Sequence, residues 1–153
     1  MSTLRDQRRQ AADLVRLREV RMRAAAVRLA EARAATAAAE RARVEADAAA
    51  DHAADAHRGA KEGLTQEPAQ AERLLAVLDR RRFERSLAIE ALSDARDAEH
   101  KRLDEEAERR RAMILAQARH DVLAERLQAL HRRAGRFEEE RVALDAEDVR
   151  RFR

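Results

Sequence analysis

An all-α fold, a single long antiparallel two-helix coiled-coil hairpin spanning 1–153, is predicted by three features of this chain. Ala, Glu, Arg and Leu dominate, residues that lose little rotamer freedom in a helix. Aromatic residues make up 2% of the sequence, three Phe with no Trp or Tyr, so a globular core cannot be filled at interior density. One segment alone breaks the helical pattern. It runs Arg58-Gly59-Ala60-Lys61-Glu62-Gly63-Leu64-Thr65-Gln66-Glu67-Pro68 and holds two of the three glycines and the only proline.

The elements follow from that break. Helix 1 is expected over about 3–57, the turn over about 58–67, and helix 2 over about 67–150. Gly59 suits the left-handed residue that closes a helix, and Thr65 suits an N-cap with Pro68 in the first turn after it. Gly135 costs about 1 kcal/mol against Ala but does not end a helix. At 1.5 Å per residue the helices measure roughly 80 and 125 Å, and uninterrupted helices of that length supercoil to keep a seam in register.

In helix 1 a 4/3 spacing runs through Leu4, Ala11, Val15, Met22, Ala25 and Leu29 and continues in Ala and Thr to Ala53, interrupted by Arg8, Arg18 and Arg43. Helix 2 reads as two stripes in shifted registers. The first is Ala71, Leu75, Leu78, Ile89 and Leu92; the second runs from Met113 and Ala116 through Leu123, Leu127, Leu130, Ala134 and Phe137 to Leu144. A turn centred near residue 63 makes the numbers of facing residues add to about 126. Ala34 and Ala37 then meet Leu92 and Ile89, and Leu4 meets Val122.

Three apolar features fall outside that seam. Beyond about residue 123 helix 2 has no partner, yet Leu123, Leu127, Leu130, Phe137 and Leu144 form an apolar stripe that calls for one. Phe83 and Leu87 stand one turn apart and well over 100° round helix 2 from the seam, facing outward. Leu17, Val20, Ala24 and Val27 form a second strip on helix 1, turned away from Val15 and Met22.

Several classes of chemistry find no residues to carry them. No Cys is present, so neither a disulfide nor a thiolate metal site is expected. The five His show no i, i+4 pairing and no H-E-x-x-H pattern, and no Gly-rich phosphate loop occurs, so no metal, no cofactor and no catalytic residue is expected. Acid runs such as Glu138-Glu139-Glu140 read as solvated faces. Net charge is +3, with 33 basic against 30 acidic residues. The triplets Arg80-Arg81-Arg82 and Arg109-Arg110-Arg111 each spread over about 200° of helix and are flanked by acids, which argues against nucleic acid as a partner. No apolar run approaches the roughly 20 residues that span a bilayer, and Met1–Gln10 lacks a signal-peptide core. A cytoplasmic protein without membrane insertion is the expectation.

In size, in its two long helices and in its Ala-, Arg- and Glu-rich tip, this layout resembles the stalk proteins of type III secretion, the YscO-type proteins and the flagellar FliJ. That resemblance implies a non-enzymatic stalk or adaptor, at the inner-membrane apparatus, that links a hexameric export ATPase to the export gate and also binds chaperones. Phe83 and Leu87 match the aromatic-then-aliphatic spacing of the gate-binding patch on flagellar members, while Glu90 and Asp94 depart from its continuation. The overhanging end of helix 2, with Leu123, Leu127, Leu130, Phe137 and Leu144, would enter the ring. Two alternatives stand beside it: a structural coiled coil that self-associates weakly through its C-terminal helix, and a prefoldin-like chaperone that holds clients at its tip.

Overall fold

The computed structural model describes residues 3–66 and 68–151, and their regular structure is entirely helical. Helix α1 runs Leu4–Gln66, a short 3-10 turn covers Pro68–Gln70, and α2 runs Ala71–Arg151. The two long helices pack against each other, so the chain is an all-α helical hairpin. Its packing divides into two units, one drawn from Met1–Leu29 with Arg109–Arg153 and the other from Ala30–Glu108.

A capping box starts α1. The Asp6 N–H donates to Thr3 Oγ1 at 3.2 Å, and the Thr3 N–H and hydroxyl donate back to Asp6 Oδ2 at 3.1 and 2.7 Å. The Thr3 hydroxyl, and then its N–H, hold the Asp6 carboxyl below its ordinary range.

The break is shorter and later than the sequence predicts. Gly59 and Gly63 are helical, and no described residue has a positive φ. Thr65 is not an N-cap either: its hydroxyl donates to the Glu62 carbonyl at 2.7 Å, inside α1. A glycine costs a helix about 1 kcal/mol but forbids nothing, whereas a proline has no N–H to give and disfavours helical backbone in the residue before it. Only Pro68 therefore stops the helix. Glu67, the expected start of helix 2, lies outside the described residues.

The α1 seam follows the 4/3 spacing read from the sequence. Leu4, Arg8, Ala11, Val15, Arg18, Met22, Ala25 and Leu29 are all at least half-buried, and the alternation persists along the alanines beyond. In α2 the two shifted stripes prove to be one register. Leu74 and Ala88 turn inward while Leu75 and Ile89 are exposed, and steps of three and four then connect Leu92 to Met113 and on to Ala134 without a shift. Charged residues hide that continuity, because Arg81, Arg85, Glu99, Arg102, Glu106 and Arg109 occupy seam positions. Arg81, Arg85, Arg102 and Arg109 are exposed there, with stems long enough to lie along the seam while their heads reach water, whereas Glu99 and Glu106 are largely shielded.

Packing is thin. Ala11, Leu29 and Leu92 are the buried hydrophobic residues among those described.

The pairing line moves with the turn. In the Ala30–Glu108 unit the Thr36 hydroxyl lies 3.2 Å from the Arg102 carbonyl, Arg43 Nε is 2.8 Å from Glu99 Oε2, and Arg96 Nη2 is 3.3 Å from Asp47 Oδ1. In the other unit Arg8 Nη2–H donates to His131 Nδ1 at 2.8 Å. Facing numbers thus add to about 140 in both units, not about 126, a displacement of two heptads. Leu92 falls opposite Ala46 and Ala50 rather than Ala34 and Ala37. Leu4 falls opposite the stretch near residue 136, not Val122. A displacement of whole heptads leaves the α1 seam positions on the seam.

Candidate interaction surfaces

Phe83 and Leu87 stand on α2 three to four turns past the break, on the face opposite the seam. They are 63% and 49% exposed. The sequence places them outward, and the structure does the same. Beside them Glu84 accepts from Arg80 Nε at 3.0 Å and from Arg81 Nη1 at 2.7 Å. Those bonds, Arg80 first, lower the Glu84 carboxyl below its usual range. One acid beside the pair, Glu84, is thus engaged with two arginines of its own helix. Leu75 and Ile89, expected in the seam, are exposed about 100° round the helix from Phe83 and do not extend its patch.

The C-terminal stripe divides in two. Leu123, Leu127 and Leu130 are half-buried, because α1 reaches further along α2 than the earlier register allows. Leu123 and Leu130 line a 460 Å³ cleft together with Gln7, Gln10, Ala11 and Leu14 of α1 and with Arg126 and Arg133. These three leucines belong to the hairpin. The overhang begins near residue 136: from Gly135 to Arg151 every side chain described is exposed. Phe137 and Leu144 lie in that free stretch, with the Arg133 guanidinium 5.5 Å over the Phe137 ring. Val142, also exposed, joins them and escaped the sequence reading because it lies off the extrapolated seam.

Two further strips occupy outer faces in the unit that contains the termini. Leu17, Val20, Ala24 and Val27 are exposed on α1, as the sequence implies. Leu115, Ala118 and Val122 do the same on α2 and were not singled out, although their spacing of three and four was legible. What this molecule offers is apolar side chains on charged helices. Among the described residues no cluster of three His, Cys, Asp or Glu is placed to hold a metal, and no helix is long and apolar enough to cross a membrane.

No protein-family model matches the chain, and no curated protein or solved structure matches it.

Proposed function

We propose that this chain is a non-enzymatic, cytoplasmic stalk or adaptor of a bacterial type III export apparatus, as its resemblance to the YscO-type and FliJ proteins implies. Its longer helix engages the export ATPase hexamer, and its Phe83–Leu87 face engages the export gate or a chaperone. The observation that carries this reading is the free end of α2. Some fifteen residues past the last turn opposed by α1 stay exposed, Phe137, Val142 and Leu144 among them. An exposed apolar stretch gains roughly 25 cal/mol per Å² when a partner covers it. Leu123, Leu127 and Leu130 support that end instead of touching the ring, and the outward pair near the break supplies the second contact.

Binding to a hexameric type III export ATPase tests the proposal. Phe137→Asp with Leu144→Asp abolishes capture of the hexamer and leaves helix content unchanged. Phe83→Ala alters stability by less than about 0.5 kcal/mol, since no seam contact is lost, yet weakens the gate or chaperone complex at least ~10-fold. Wild-type affinity in the double variant sinks the ring contact. A stability loss above ~2 kcal/mol in Phe83→Ala shows that the side chain is packed rather than displayed.

A further inference from the structure

The free end of α2 and the outer face of α1 carry matching patterns of opposite sign. On α1, Leu17, Val20, Ala24 and Val27 run down the face opposite the seam. Two rails of arginine border it. Arg16 and Arg23 stand seven residues apart on one side, Arg21 and Arg28 seven apart on the other, and all four are exposed. Arg16 and Arg23 already hold Asp13 and Glu19 on the same helix.

The free end repeats the pattern in acids. Val142, Ala143 and Ala146 form a small apolar face together with Glu138 and Glu139. At 100° per residue, Glu138 and Asp145 fall on one side of that face and Glu140 and Glu147 on the other. Again the members of each rail are seven residues apart. Seven residues span about 10.5 Å on both helices, so the rails keep step over two turns. Between Glu138 and Asp148 there are six acids and a single arginine, Arg141, which pairs with Glu138.

We propose that these two surfaces bind each other between two copies of this chain: residues 137–148 of one copy dock on the Leu17–Val27 face of a second. The strip lies on the outer face of α1 and the tail face on the outer face of α2, so the contact is head-to-tail: the tail of one copy runs antiparallel along α1 of the next, which sets Glu140 and Glu147 beside Arg21 and Arg28. Each tail covers an apolar strip otherwise left in water, and the charge match is carried by Glu140 and Glu147 against Arg21 and Arg28, since Arg16, Arg23 and Glu138 hold partners on their own helices. Exposed rails are screened by salt, while the apolar strips are not, so the pair loosens with ionic strength without vanishing. This inference does not rest on the export reading, because it concerns the chain alone.

Sedimentation of the full chain without any partner protein tests it, from micromolar to submillimolar concentration. Self-association that grows with concentration is expected, with a dimer as its first product. Glu140→Lys with Glu147→Lys weakens it at least ~10-fold, and so does Arg21→Glu with Arg28→Glu. An equimolar mixture of those two variants recovers a heterodimer. Because the chain has no cysteine, a second measurement stands apart from any effect of charge reversal on folding. Val20→Cys mixed with Ala143→Cys forms a heterodisulfide on mild oxidation, whereas Val20→Cys alone does not cross-link. A monomer at every concentration with no heterodisulfide overturns the proposal. A dimer whose strength ignores both charge reversals, or whose Val20→Cys cross-links to itself, overturns it equally.

Discussion

Arg43 and Glu99 show how single residues work in a seam this thin. Both occupy positions where a coiled coil ordinarily carries an apolar side chain, and both are less than one-third exposed. Their 2.8 Å contact returns part of the cost of taking two charges out of water, and a pair of leucines would return more. Arg43→Leu together with Glu99→Leu is expected to raise stability by about 1–2 kcal/mol in chemical denaturation, because the pair keeps some contact with solvent. Glu99→Leu alone is expected to lower it by about 1 kcal/mol, leaving Arg43 without its acid. A double variant less stable than wild type would show that the ion pair is a net stabiliser. The pair also acts as an address: a slip of one heptad parts Arg43 from Glu99 while still matching apolar positions elsewhere. Thr36 at the Arg102 carbonyl and Arg96 at Asp47 act in the same way.

At the scale of the element, each helix was legible from its composition, and the α1 seam from its 4/3 spacing. Phe83, Leu87 and the Leu17–Val27 strip were legible as outward. The turn was misplaced because glycine tolerates a helix that proline forbids, so Gly59 and Gly63 carried weight that belonged to Pro68 alone. The α2 register was split in two because Arg81, Arg85, Glu99 and Arg102 hold seam positions that a coiled coil ordinarily gives to Leu, which drew Leu75 and Ile89 into the seam. From those misplacements came the assignment of Leu123, Leu127 and Leu130 to a free end they do not form. The displaced register left no trace in the hydrophobic pattern, since a two-heptad shift repeats it. Spin labels decide between the registers. Labels at positions 48 and 93 are expected within ~20 Å, near two interaxial spacings, while labels at 48 and 78 lie roughly 20 Å further apart along the axis. Equal closeness of 48 to 78 would restore the earlier pairing.

At the scale of the whole molecule, surface outweighs interior. The chain presents Phe83, Leu87, the outer strips and the acidic end of α2 to whatever binds them, and among the described residues its buried hydrophobics are Ala11, Leu29 and Leu92, with the rest of the apolar seam half-buried. That thin seam has a thermal consequence. The heat capacity gained on unfolding comes from apolar surface newly exposed, and for globular domains it amounts to about 12–15 cal/mol/K per residue. A chain that buries Ala11, Leu29 and Leu92 and only half covers the rest has little apolar surface left to expose. Calorimetry of the isolated chain is expected to give less than about half the globular figure per residue, and a value at that figure would reveal a core contributed by a second chain. The curve of stability against temperature is then shallow rather than domed. Cold does little to such a hairpin, and it melts over a wide span of temperature instead of at a sharp point.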